Sequence, residues 1–324
     1  MMMTSISNYQ QIIKEEIEKL AIPSTPGNLY NPITYFLGLG GKKMRPVLTL
    51  MGCELFQSNY SPAKGAAMAV ELFHNFSLIH DDIMDDAPLR RGNETVHEKW
   101  NSNIGILSGD ALLVIAYQQL AGYEPTTLAK LFPLFNQTAI EVCEGQQHDM
   151  DFEERDDVSI DEYIQMIKFK TAVLLGCSLQ MGAIVGGANE SDSKELYNFG
   201  VNLGLAFQLQ DDILDVYADQ NKFGKQVGGD IIANKKTYLL LKAFEDASSA
   251  QKDQLNTLAI ETDLVAKVNG VKSVYADLNI KAKAELKMDD YYQIALKNLA
   301  AINISDEKKK PLLGLAHFLM GREV

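Results

Sequence analysis

The chain has 324 residues, 46% of them hydrophobic, and a formal net charge of −13; this length suits one or two domains with a large buried core. An acidic balance of this size excludes a general nucleic-acid binder, which depends on basic surfaces that neutralise phosphates. Cys53, Cys143 and Cys177 are far apart, odd in number and form no CxxC pair, which argues against a disulfide framework or a zinc site and fits a reducing, cytoplasmic setting.

Residues 1–20 lack the apolar run of a secretory signal peptide and carry glutamates early. Residues 9–20 read as an amphipathic helix with Ile12, Ile13, Ile17 and Leu20 on one stripe. Pro23 and Pro26–Gly27 end it. A helix is predicted from about Asn31 to the glycines at 38–41, and another from Arg45 to Phe56. Pro62, placed early where its missing N–H costs little, starts a helix over 63–86. Further helices are predicted over 102–121, 126–151, 159–187 and 189–218. Asp219–Lys236 reads as an ordered glycine-rich loop, and several shorter helices follow up to Met320. The nine prolines fall mostly near the N-terminus or in connectors. Residues 171–189 carry no charge over roughly a membrane-spanning length. Thr171, Ser178, Gln180 and several small residues dilute that stretch, however, and suit tight helix packing, so no membrane span is expected. No alternating strand pattern, repeat or low-complexity linker is evident. The expectation is a single all-α domain over 1–324, a helical bundle around a central cavity.

Two acidic runs stand out against this helical background. His80-Asp81-Asp82-Ile83-Met84-Asp85-Asp86 ends a nearly apolar helix, with Asp81 and Asp85 stacked on one face. Carboxylates at a helix C-terminus repel each other and oppose the macrodipole. The bland alternative is a solvated acidic patch, the usual fate of charge runs. Against it, the run follows a buried segment, and its DDxxD spacing recurs in Asp211-Asp212-Ile213-Leu214-Asp215 after another buried segment. A hard divalent cation with oxygen ligands relieves both; Mg2+ is typically shared between one or two carboxylates and substrate phosphates. Basic residues gather at turns: Lys42, Lys43 and Arg45 after Gly40–Gly41, Arg90–Arg91, Lys170, Lys225 and Lys235–Lys236. Each alone is most simply a solvated surface charge. In an acidic protein carrying two metal-type motifs they read as anion sites.

The ordered set GGKKMRP, HDDIMDDAPLRRG, Gly109-Asp110, GQQHD, Lys170-Thr171, FQLQDDILD and Lys235-Lys236-Thr237 covers most of the chain. It resembles the trans-isoprenyl diphosphate synthases (polyprenyl synthetases), which include farnesyl and geranylgeranyl diphosphate synthases. The resemblance implies Mg2+-dependent head-to-tail condensation of isopentenyl diphosphate with an allylic diphosphate, giving a short-chain all-trans product and pyrophosphate. It implies three Mg2+ ions on the allylic diphosphate, held first by Asp81, Asp85 and Asp211. Asp82, Asp212 and Asp215 would support them, and Asp149 with Gln146 would line the same metal site. Arg90, Lys170, Thr171, Gln208, Lys225 and Lys235 would hold the allylic diphosphate, with Lys170, Thr171 and Gln208 also assisting the chemistry. Lys42, Arg45, His74 and Arg91 would hold isopentenyl diphosphate; without the resemblance His74 reads as a core histidine. Arg322 is a weaker candidate beside that site. The resemblance also implies a homodimer.

Product length follows from the helix before the first motif. Phe76 lies five residues before Asp81, about 7.5 Å up the helix, and Phe73 about 12 Å up. Ser77, four residues before Asp81, is small. In this family aromatic residues at both the fourth and fifth positions stop growth at C15, and one at the fifth alone permits C20, so a C15 or C20 product is expected. A class I terpene cyclase is the first rival, but it would lack a second DDxxD and an isopentenyl site of the Lys42–Arg45 kind. Head-to-head condensing enzymes lack that site too. A non-catalytic subunit of a heteromeric synthase is the second rival, and every matched metal and diphosphate position is present.

Overall fold

Helical periodicity becomes helices almost throughout the computed structural model, which describes residues 2–218 and 228–321. Lys225 and Arg322 lie outside the described residues. The chain groups into two compact units, one of Met1–Asn136, Cys177–Tyr197 and Asn303–Pro311, the other of Gln137–Gly176, Asn198–Ile302 and Leu312–Val324.

In the first unit α1 (Met2–Glu18), α2 (Gly27–Gly38), α3 (Met44–Phe56), α4 (Lys64–Met84), α5 (Val96–Lys99) and α6 (Ser102–Gln118) follow in order. Of the stripe expected over 9–20, Ile13 is fully buried while Ile12, Ile17 and Leu20 are half-buried, and Tyr9, outside the stripe, is buried as well. Helix α2 starts at Gly27, earlier than expected, because Pro26 already takes the extended N-cap conformation. Helix α4 is the unit's spine, packed on α3 and α6. Its run Ala66–Phe73 is buried throughout, and the aspartates follow in its last turns. It stops at Met84, with Asp85 as C-cap and Asp86 in the left-handed region (φ 47°). The expected absence of strands is corrected by a two-residue hairpin, β1 (Leu89–Arg90) and β2 (Asn93–Glu94), paired antiparallel. Four residues of ladder are too few to leave an alternating pattern in the sequence.

Helix α7 (Pro125–Glu154) and α10 (Glu190–Tyr217) contribute residues to both units. The single helix expected over 159–187, whose residues up to Gly176 belong to the second unit and the rest to the first, is interrupted. A capping box at Ser159 and Glu162 starts α8 (Ile160–Ile167), a π-helical turn occupies Lys168–Ala172, and α9 (Val173–Val185) resumes. Taken together, Ile160–Val185 is the one described helix long and apolar enough to cross a membrane by length and composition, and 61% of its apolar window is buried inside the protein. Its small residues serve close packing, as anticipated: Gly176 lies against Gly200, and Gly182 lies against the Thr49 carbonyl. Beyond residue 228 come α11 (Gly229–Ile232), α12 (Tyr238–Asp246), α13 (Ser249–Ala259), α14 (Leu264–Asp277), α15 (Ile280–Ala301) and α16 (Asp306–Met320). The expected loop is therefore partly helical, and α15 is a long helix. Helix α12 packs on α8 and α15, and α14 on α11, α13 and α15.

Candidate active site

The first unit carries a cationic cluster around the start of α3. Gly40 and Gly41 take φ values of 79° and 113°, a region open to glycine at little cost. A Cβ at Gly41 would stand 2.7 Å from the Arg91 guanidinium carbon. Arg91 uses the space to donate to the Gly40 carbonyl. Arg45 donates from Nη1 to His74 Nε2 at 3.0 Å. A guanidinium has no acceptor to offer, so His74 must accept at Nε2 and carry any proton on Nδ1. Burial, then Arg45, Arg91, Lys43 and Arg90, hold His74 well below its usual pKa. The imidazole is neutral, and burial brings Arg45 down to about 10. The surplus cations leave this corner ready for an anion. Lys42 is exposed, with its carbonyl taken by Gln10. Lys43, grouped by sequence with the basic residues of an anion site, instead makes a buried ion pair with Glu71 at 2.8 Å, and Asn75 donates to the same carboxylate oxygen.

The first acidic motif divides by direction. Asp81 is half-buried and Asp85 exposed, one turn apart on the same face. Asp82 points inward, 1% exposed, with its Oδ1 taken by Arg90 Nε and Nη2 at 2.7 Å each. Burial pushes the Asp82 carboxyl up, and Arg90 pulls it part of the way back. Asp82 and Arg90 thus hold each other in this structure, which leaves Asp82 a positioning geometry for the hairpin that carries Arg90 and Arg91. Phe76 packs edge-on to His80 at 4.8 Å and against Phe73 at 5.6 Å, and Phe73 meets Phe135 at 5.5 Å. The Ser77 hydroxyl is turned back onto the His74 carbonyl.

In the second unit a cavity of about 710 Å3 is lined by Asp149, Lys170, Thr171, Gln208, Asp212 and Lys235 among others. Six separately expected residues therefore share one wall system. The π turn explains Lys170 and Thr171: the extra residue widens the helix there and re-aims its side chains, as π turns at functional sites often do. Lys170 bonds to Asp149. Gly145 makes the approach possible, since a Cβ there would lie 2.2 Å from the Lys170 backbone nitrogen. Asp211 is half-buried, one turn beyond Gln208 on α10. Asp212 is 4% exposed, accepts from the Tyr163 hydroxyl and also bonds Gln208. Burial pushes its pKa up to about 7, with the Tyr163 bond opposing. Asp215 accepts from the Asp230 backbone N–H at 3.0 Å and so fixes the start of α11.

The residues present fit a hard cation. Asp81 and Asp85 in the first unit, and Asp211 and Asp149 in the second, offer accessible carboxylate oxygens, the donor type Mg2+ requires. Gln146 is 8% exposed, and both polar atoms of its amide are buried without a hydrogen-bond partner. An orphaned amide of this kind is costly unless something polar is to be bound. Sequence reasoning missed Glu71, Tyr163 and Asp230. Glu71 did leave a signal, as a lone charge inside an apolar helical run. Tyr163 and Asp230 left none, because their partners are far off in sequence.

A family model described as polyprenyl synthetase matches residues 26–278. The geranylgeranyl pyrophosphate synthase of Geoglobus acetivorans is 36% identical over 98% of this chain and 98% of its own. A solved geranylgeranyl pyrophosphate synthase is 46% identical and superposes with a TM-score of 0.93, covering 98% of this chain and 99% of that one. The geranylgeranyl pyrophosphate synthetase from Pyrococcus horikoshii Ot3 is 35% identical, with a TM-score of 0.93 over 99% and 98% of the two chains. The all-α architecture, the two acidic motifs and these full-length likenesses agree: the chain belongs to the polyprenyl synthetase family.

Proposed function

We propose that this chain is a short-chain trans-prenyltransferase that condenses isopentenyl diphosphate with an allylic diphosphate, head to tail. The observation that carries the reading is that each unit gathers cationic side chains around a DDxxD motif: Arg90 is paired with Asp82 in one, and Lys170 and Lys235 line a cavity with Asp212 in the other. Members of this family depend on Mg2+. Asp81, Asp85, Asp211 and Asp149 would hold Mg2+, three ions when a diphosphate is bound, with Asp82, Asp212 and Asp215 in support. Mg2+ supplies charge neutralisation of the diphosphate as it departs.

In the proposed reaction the C–O bond of the allylic diphosphate breaks, and its electron pair leaves with pyrophosphate. The double bond of isopentenyl diphosphate supplies the pair for the new C–C bond, and a proton then passes from the product carbon to pyrophosphate. The chain's own part is positioning and electrostatics. Lys170, Lys235, Lys225 and Arg90 would grip the allylic diphosphate, and Lys42, Arg45, His74 and Arg91 the isopentenyl diphosphate. A neutral His74 accepting from Arg45 holds that guanidinium in place without adding charge. The Thr171 and Gln208 oxygens would face the developing allylic cation.

Phe76 with Ser77 behind it favours a C20 product over C15, and the full-length relatives named geranylgeranyl synthases point the same way. A cytoplasmic homodimer is part of the proposal. The test is incubation of the purified protein with Mg2+, isopentenyl diphosphate and each of dimethylallyl, geranyl and farnesyl diphosphate, with products separated by chain length. A C20 diphosphate is expected. A cyclised hydrocarbon from the allylic substrate alone would instead identify a terpene cyclase, and no product with any starter would leave the non-catalytic subunit.

A further inference from the structure

We propose that Asp86, His97 and Glu98 bind one divalent transition cation, of the zinc or cobalt class, that clips the base of the β1–β2 hairpin. None of the three has a role in the prenyltransfer reading, and the inference stands apart from it. His97 Nε2 lies 3.9 Å from Asp86 Oδ1 and 3.7 Å from Glu98 Oε1, and the donor atoms of the three residues all fall within 4.8 Å of one another. A zinc with bonds of about 2.1 Å places neighbouring ligands roughly 3.4 Å apart at the tetrahedral angle. The imidazole nitrogen needs to close by only a few tenths of an ångström on each carboxylate oxygen, and the two carboxylate oxygens by at most about 1.4 Å on each other, which the exposed side chains of Asp86 and Glu98 can do by rotation.

The observation that points to a ligand is His97 itself. Its side chain is 6% exposed, yet both ring nitrogens are buried without a hydrogen-bond partner. A buried imidazole normally pairs at least one nitrogen, because leaving a polar group unsatisfied costs about 1–3 kcal/mol. Here Nε2 is aimed between two carboxylates, an arrangement that one cation, bound by an imidazole nitrogen and two carboxylate oxygens with water completing its shell, would satisfy. An imidazole in the donor set selects zinc, cobalt or copper over Mg2+, so this site differs in kind from the all-oxygen aspartates of the DDxxD motif.

The placement gives the cation a job. Asp86 precedes the hairpin, in the left-handed conformation at the end of α4, while His97 and Glu98 follow it in α5. Between them lie β1 and β2, closed at the base by the Thr95 N–H donating to the Pro88 carbonyl. Arg90 and Arg91 are carried on this loop. A cation joining its two ends removes loop-closure freedom and steadies both arginines.

The experiment is equilibrium dialysis of the full chain against Co2+ with excess Mg2+ present to fill the oxygen-only sites, read by metal analysis and by the visible absorption of imidazole-bound Co2+. One equivalent of Co2+ is expected to remain. Glu98→Gln and His97→Ala should each weaken it at least tenfold, and Asp81→Asn/Asp85→Asn should leave it intact. Circular dichroism checks the fold of His97→Ala; Glu98→Gln, at an exposed position, carries the test should that variant unfold. Retention of Co2+ in Glu98→Gln, its loss in Asp81→Asn/Asp85→Asn, or no bound Co2+ at all would overturn the proposal.

Discussion

His74 makes stability depend on pH in a calculable way. In the folded protein burial and the cations around it keep the ring neutral, with its pKa well below 6.5, whereas the unfolded chain binds a proton near 6.5. The sign follows from proton counting. Below that pH the unfolded state holds one more proton than the folded state, so unfolding free energy rises with pH by about 1.4 kcal/mol per unit from this residue. The contribution is fully present above the unfolded pKa and is lost as pH falls beneath it. Over the pH range in which the folded protein keeps the ring neutral, each unit below 6.5 should therefore cost up to about 1.4 kcal/mol. His74→Gln preserves an acceptor for Arg45 and removes the titration. Urea unfolding of both proteins at steps from pH 8 to pH 5, with equal slopes m, isolates the difference from every other titrating group. The two stabilities should diverge in the variant's favour below pH 6.5 and run parallel above it. Curves parallel throughout would refute the neutral, buried, acceptor histidine.

Lys43→Met leaves Glu71 buried without its cation, and breaking one side of a buried pair typically costs about 3–5 kcal/mol; chemical denaturation should show this, with much of the loss recovered in Lys43→Met/Glu71→Gln. Gly145→Ala puts a Cβ 2.2 Å from the Lys170 nitrogen, so the π turn must move; thermal melts should fall by the equivalent of about 1–3 kcal/mol. Displacing Lys170 and Thr171 by about an ångström should cut turnover on the order of 100-fold, measured with saturating diphosphates. Phe76→Ala should lengthen the prenyl product, read by chromatography of the dephosphorylated chains. Its packing loss is about 3–5 kcal/mol, so the melting temperature is measured alongside, and an unchanged product length would mean Phe76 is not the floor.

Much of this molecule was legible in one dimension. The 3.6-residue periodicity marked most helices, because a residue's partner on a helix face is only three or four positions away. The two DDxxD runs, the basic turns and Lys170-Thr171 were equally visible, since each is a local cluster of one kind of chemistry. What each charge does was not. Asp81 and Asp82 look alike in the sequence, yet Asp82 is buried on Arg90 while Asp81 is only half-buried, because adjacent helix positions point about 100° apart and packing against α3 and α6 selects the face. The same holds for Lys42 and Lys43, of which only the second reaches Glu71. The π turn escaped notice because it costs one hydrogen-bond register and no change in composition. His97, without a hydrogen-bond partner between two carboxylates, could be found only once the hairpin had folded back and brought Asp86 beside it. Local chemistry belongs to the sequence, but the pairing of one charge with another needs the chain to close on itself.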